Sequence, residues 1–383
     1  MARPGTKRVC ILIVVFVGFL VGSRVLFNWP SAPVSGKSDA RPHTRSPEDR
    51  KAARAQKPPV QSAISAQIRN SVQAFHNNSD PRQAAIILDD LRVGIRQAPE
   101  SDAAAAIVGF LKTEDDAPTG LAFVVGPEGM METVPSVRLA LLDLLPSLDP
   151  VAALEVALEL MDRRTSADEY AVALRNMAWN DLDGDLRGEL SRRFMALLQM
   201  PWLDQPSAGF IEAFDIAVEV GGSAMFDRMV SLAGEATEKS NTAASRAAFM
   251  SLDRMIVRDR ALLATAFSAD AAWMDFAPQQ RASLMSRLDI MVPAQRDVFL
   301  RYISDNGRAA DELEYFGKLF PNENFLYGHR LVTADEVTPS IDQVTAADAR
   351  VLVELDALEP AIPEKAKSAV EMIRRRLKSA ASP

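Results

Sequence analysis

The chain has 383 residues, 48% of them hydrophobic, which is enough for a sizeable core and for one to three domains. The first 59 residues hold 11 Lys and Arg against three Asp and Glu, so the remaining 324 carry 32 against 48, a formal −16 within the chain's −8. An acidic body excludes broad binding to nucleic-acid phosphates, and a lone cysteine, Cys10, excludes an internal disulfide, a thiolate metal site or a cysteine nucleophile in that body.

Residues 1–8 read as a basic cytoplasmic tail and residues 9–29, VCILIVVFVGFLVGSRVLFNW, as a transmembrane signal-anchor. The uncharged part, residues 9–21, would form a helix of roughly 20 Å, short of a hydrocarbon core of about 30 Å. Extending the run from Val9 through Phe16, Phe19 and Arg24 to Trp29 reaches roughly 31 Å. Arg24 can snorkel to the interface, where Trp29 also prefers to sit, and Pro30 stops the helix. A cleavable signal peptide is the rival reading. Its best site follows Ser23 and would leave Arg24 as the new terminus, while Pro30 and Pro33 spoil later candidates. Arg3, Lys7 and Arg8 before the span place the body outside the cytoplasm, although Lys37, Arg41 and Arg45 follow within reach of the same rule. The expectation is a single-pass inner-membrane protein with a periplasmic body.

Residues 30–59 contain six prolines and seven basic residues against three acidic ones. Apolar residues are few and unpatterned, so this stretch is expected to be a disordered spacer that holds the body off the membrane. Its charge can reach anionic headgroups, but solvated linker charge is the preferred reading.

From residue 60 to 383 the pattern is helical. Ile64, Ile68, Val72 and Phe75 recur at helical spacing. Asp80-Pro81 then caps and starts a second helix, with Ile87, Leu91 and Ile95 on one face. Ala103 to Leu111 reads as a further short helix, ended by Glu114-Asp115-Asp116. Leu121 to Val125 is the one stretch that reads as a strand, and the loop Gly126-Pro127-Glu128-Gly129 follows it. Val137 to Leu148 and Val151 to Met161 form the clearest helix pair, separated by Asp149-Pro150 and therefore expected to be antiparallel neighbours. Ser166-Ala167-Asp168-Glu169 reads as a capping box. Helical faces continue to Leu377, a polar bridge at residues 234–243 marks a possible subdivision, and residues 321–339 form a looser segment holding His329.

Asp80-Pro81 and Asp149-Pro150 open helices 69 positions apart and share a pattern, Ala84, Ile87 and Leu91 matching Ala153, Val156 and Leu160. The stretch at residues 135–161 resembles HEAT-type helical repeats. Val137-Arg138 opens one helix, Asp149-Pro150 lies between the two, and Leu154 and Leu158 follow on the second. The resemblance implies an α-solenoid, a curved stack of antiparallel helix pairs used to hold partners. An irregular helical bundle is the alternative, since no constant period continues beyond Trp202.

Motifs for chemistry are sparse. The chain contains no phosphate-binding glycine loop, no nucleophile elbow and no zinc helix. His43 lies in the spacer, and His76 and His329 read as loop or capping residues. Asp181-Leu182-Asp183-Gly184-Asp185 alternates carboxylates as a calcium loop does, but Gly184 precedes the third acid and Arg192 stands where a bidentate glutamate belongs. Capping of the helix near Leu186 is the preferred reading. Met195, Met200, Met225, Met229, Met250, Met255, Met285 and Met291 read as core gap-fillers ahead of an adaptable binding face. Arg374-Arg375-Arg376 and Lys378 read as complements of a terminal helix dipole. No catalytic residue, metal or cofactor is assigned. The functional expectation is a membrane-tethered interaction module, a scaffold, adaptor or chaperone that binds a protein partner and no nucleic acid. The alternative is a cell-envelope enzyme using dispersed carboxylates, with Glu128 and Glu132 the candidate acids.

Overall fold

The computed structural model describes residues 63–77, 80–181, 183–238, 241–268, 276–323, 329–334 and 339–380. The chain divides into two compact units, residues 1–58 and 59–383, and every described residue belongs to the second. The expected anchor, with Val9, Phe16, Phe19, Arg24 and Trp29, and the spacer at residues 30–59 lie outside the described residues. Among those that are described, no helix is long and apolar enough to cross a membrane.

The second unit is built of helices. In chain order they are α1 (Ala63–His76), α2 (Pro81–Gln97), α3 (Glu100–Leu111), α4 (Val137–Leu148), α5 (Pro150–Arg163), α6 (Ala167–Trp179), α7 (Arg187–Leu197), α8 (Ala208–Glu212), α9 (Asp215–Val220) and α10 (Ser223–Glu238). There follow α11 (Thr242–Arg258), α12 (Ala261–Ser268), α13 (Pro278–Met285), α14 (Pro293–Ser304), α15 (Ala310–Leu319), α16 (Ile341–Ala357) and α17 (Lys367–Ala380). A short antiparallel hairpin, β1 (Val124–Val125) and β2 (Met131–Thr133), pairs Val124 with Thr133 and Val125 with Met131.

Local chemistry sets the helix starts. Asp80 Oδ1 accepts from the Arg82 amide and Pro81 occupies the first turn of α2, where its missing donor costs nothing. Asp149 repeats the device on α5, accepting from the Ala152 amide at 3.0 Å ahead of Pro150. Ser166 caps α6 by accepting from the Glu169 amide, but the expected return bond from Glu169 to the cap does not form. The Glu169 carboxylate instead accepts from Arg138 Nε at 2.7 Å and from the Thr165 hydroxyl. A full reciprocal box occurs at α16, between Ser340 and Gln343.

Packing follows the chain. Most contacts join a helix to the next or to the next but one: α4 packs on α3, α5 and α6; α11 on α9, α10 and α12; α15 on α13 and α17. The expected bridge at residues 234–243 belongs to a helical hairpin. Residues 234–238 continue α10, and α11 returns along it, with the Asn241 amide bonded to the Ala236 carbonyl and Thr237 to Ser245 across the turn.

α4 is apolar nearly all round, and every residue from Val137 to Leu145 is buried, as that pattern requires. Burying one such leucine contributes roughly 1.5–3 kcal/mol. Near the other end, Phe299, Tyr302, Phe316 and Phe320 form an aromatic cluster with ring centroids 5.2–5.9 Å apart. The methionines mostly join the core: Met200, Met225, Met229, Met255 and Met285 are buried, while Met291 is exposed.

A charged frame runs through this apolar interior. Arg138 on α4 pairs with Glu169 on α6, and Asp143 on α4 with Arg175 on α6 at 2.5 Å. Asp215 on α9 pairs with Arg254 on α11 at 2.6 Å, Asp253 on α11 with Arg287 after α13 at 2.8 Å, and Arg281 on α13 with Glu312 on α15 at 2.6 Å. Partners stand 31–39 positions apart, and each pair joins one helix to the next but one, or to the turn behind it. Removing one member of such a pair costs about 3–5 kcal/mol, because its partner is left charged and dry.

Candidate functional site

Two of these buried pairs hold the non-helical main chain on either side of a cleft. The hairpin β1–β2 turns through Gly126, Pro127, Glu128 and Gly129, with Glu128 and Gly129 both in the left-handed region at φ 57° and 76°. Its turn hangs on the first pair: Arg175 Nη1 donates to the Gly129 carbonyl at 2.8 Å, and Asp143 Oδ1 accepts from the Met131 amide at 3.1 Å. Arg92 on α2 adds a bond to the Met131 carbonyl. Arg175 is wholly buried, and its guanidinium stacks over the Trp179 ring at 4.1 Å. Burial pulls Arg175 down from its ordinary pKa, and Asp143 opposes that pull.

A strap, residues 329–334, hangs on the second pair. Asp215 Oδ2 accepts from the Val332 and Thr333 amides, each at 2.7 Å, and Oδ1 accepts from the Thr333 hydroxyl. Arg254 donates to the His329 carbonyl and, at 3.2 Å, to the Ala334 carbonyl. Burial pushes the Asp215 carboxyl above the usual carboxylate range, against the pull of Arg254 and the Thr333 and Val332 bonds.

Hairpin and strap meet at Gly129. A Cβ there would sit 2.4 Å from the Leu331 carbonyl oxygen and 3.0 Å from the Trp179 ring, so only glycine admits this approach. Beside the contact opens a cleft of about 550 Å³, with Val125, Pro127, Val332 and Ala334 as apolar wall and Glu128, Glu132, Arg330 and Thr333 as its polar groups. Both candidate acids, Glu128 and Glu132, therefore line one cleft, and both are exposed.

The remaining sequence candidates separate from it. His76 ends α1 on the surface. His329 belongs to the strap, with Nδ1 3.4 Å from Glu212. In the acidic loop, Asp181 Oδ1 accepts from the Leu186 amide at 2.7 Å, which closes the loop just ahead of α7, while the helix start itself carries no side-chain cap bond. Among the described residues no group of three His, Cys, Asp or Glu is placed to hold a metal ion. Arg374 is not in the last turn of α17 and is buried, paired with Glu359 and Glu371, and Arg376 donates to the Phe320 carbonyl. These two arginines tie helices together, and Lys378 alone supplies the last turn. Asp80, Pro81, Asp149 and Pro150 act as helix starts away from the cleft.

Sequence reasoning assigned no role to Asp143, Arg175, Asp215 and Arg254. Their signal is a charge within a helical apolar run, as in the stretches LALLDLL and FMSLDRMIV. No family model, curated protein or solved structure matches the chain.

Proposed function

We propose that the chain is a membrane-tethered helical interaction module that offers the hairpin–strap cleft to a protein partner outside the cytoplasm. The observation that carries the reading is the cleft itself. It combines an apolar wall with polar groups, and its two sides come from segments some 200 positions apart that buried ion pairs hold to the helices. A surface of that mixture suits a protein segment. The tether rests on residues 9–29 and the charge before them, and the spacer on the composition of residues 30–59.

The body is read as an irregular HEAT-like α-solenoid. Chain-ordered packing supports this, as do interhelix ion pairs recurring at 31–39 positions, close to the length of one helical repeat. Such stacks hold partners along their faces.

The test is a photo-cross-linking amino acid at Glu132, on the cleft, and at Val151, exposed on α5, in full-length protein left in its membrane. A discrete adduct from Glu132 and none from Val151 is expected, and silence at both positions removes the reading. Labelling a cysteine placed in residues 30–59, with Cys10 replaced by serine, from outside intact cells tests the orientation separately. An envelope enzyme remains the second reading, favoured by Glu128 and Glu132 sharing one cleft. In that case Glu132→Gln abolishes turnover of a substrate without weakening its binding.

A further inference from the structure

The strap is held in an unusual way for a piece of loop. Helical side chains meet three of its amides and two of its carbonyls: Glu212 accepts from the Arg330 amide, Asp215 from those of Val332 and Thr333, and Arg254 donates to His329 and Ala334. Most of these bonds read main chain and no particular side chain. Sequence is read most deeply at two positions, while His329 Nδ1 lies 3.4 Å from Glu212 nearer the surface. Leu331 is fully buried in the core, and the Thr333 hydroxyl donates to Asp215. Val332, between them, is half-buried and faces the cleft. Main-chain bonds for affinity and alternate side chains for choice are how a receptor grips an extended peptide.

We propose that the groove formed by Gly129, Glu212, Asp215 and Arg254 is a receptor for an extended protein segment of the pattern Leu-x-Thr, which the chain's own residues 329–334 occupy in cis. A partner segment with the same pattern takes the place of the strap, and its middle residue then lies in the cleft. This rests on the interaction-module reading and narrows it to one kind of ligand. A segment in cis competes at a high effective concentration, on the order of millimolar for a short connection. Free peptide therefore binds the unaltered chain with an affinity reduced by the fraction of grooves that stand open.

The experiment uses the full chain and a labelled six-residue peptide copying residues 329–334, followed by fluorescence anisotropy. Leu331→Ala with Thr333→Val removes the two buried side-chain anchors of the strap and leaves the groove intact. The apparent Kd for the peptide should fall at least about tenfold against the unaltered chain. Adding Asp215→Asn should reverse the gain, and a peptide with aspartate at the leucine position should not bind. If the doubly altered chain melts as cooperatively as its parent but binds the peptide no more tightly, the inference is overturned.

A second measurement does not depend on how the altered chain folds. On the unaltered protein, saturating peptide should speed amide exchange at Val332 and Thr333, and unchanged protection there overturns the inference equally. Failure of this inference is separable from failure of the interaction reading. Cross-linking from Glu132 would still capture a partner if the cleft binds beside the strap.

Discussion

Asp215 and Arg254 stand 39 positions apart, meet at 2.6 Å inside the core, and together fasten a segment more than 70 residues further along the chain. The carboxylate takes the strap's amides and the guanidinium takes its carbonyls. The pair is thus both a tie between α9 and α11 and one wall-bracket of the cleft. Asp143 and Arg175 do the same for the opposite wall through Met131 and Gly129.

Cutting the first bracket has a specific energetic form. Asp215→Ala leaves Arg254 buried and charged beside two carbonyls, and should cost about 3–5 kcal/mol. Arg254→Met should cost a similar amount. In the double variant neither charge is orphaned, so its loss should be smaller than the sum of the single losses by roughly 1–3 kcal/mol. Urea unfolding of the four proteins measures the cycle. Additive losses would mean that the two residues act separately.

Gly129 is where the walls touch, and Gly188 provides its control. At Gly129 a methyl group meets both a positive φ and the Leu331 carbonyl, so Gly129→Ala should destabilise by about 2–4 kcal/mol. Gly188 lies exposed on α7 with open space around it, and alanine there should stabilise by up to about 1 kcal/mol. Thermal unfolding reads both. In Gly129→Ala, amide exchange should also quicken along 330–333 while α10 and α11 keep their protection.

How much of this was legible depends on the range of the forces involved. The bounds of α4, residues 137–148, follow from its apolar run and from Asp149-Pro150, and the structure reproduces them. The Ser166 cap was equally local. The partner of Glu169 was not, because Arg138, 31 positions away, outcompetes the nearby amide with a full charge inside the core. Asp143 and Arg175 could have been flagged as buried and paired, since each interrupts an apolar helix, but sequence does not say with what. Residues 329–334 have no periodicity at all. Their course is fixed by Asp215, up to 118 positions earlier, and only the folded helices bring that carboxylate to them.

The helix starts give a milder prediction. Asp149→Ala removes the acceptor for the Ala152 amide and should cost about 1 kcal/mol, whereas Asp149→Asn keeps an acceptor in place and should cost only a few tenths. The same contrast is expected at Asp80. Equal losses for alanine and asparagine would show that charge at the helix end, and not the cap bond, carries the effect; melts at 0.1 and 1 M salt separate the two.

Acid should weaken the charged cluster on α7. Bonds from Arg192 and Arg193, each 2.7 Å from Nε to the carboxylate, hold the Glu189 pKa down from 4.5 to about 2. A folded-state pKa below the unfolded one means that the unfolded chain binds the proton more readily. The stability from Glu189 is therefore complete above pH 4.5 and drains away as the pH falls towards 2. The cluster is partly exposed and screened by solvent, so the amount is below about 1 kcal/mol. Glu189→Gln should lower the urea midpoint slightly at pH 6 and make the fall between pH 4.5 and 2 shallower than in the parent. Raising the salt should shrink the difference between the two proteins at pH 6. A parent and variant that lose stability in parallel through that window would place the acid sensitivity in other carboxylates.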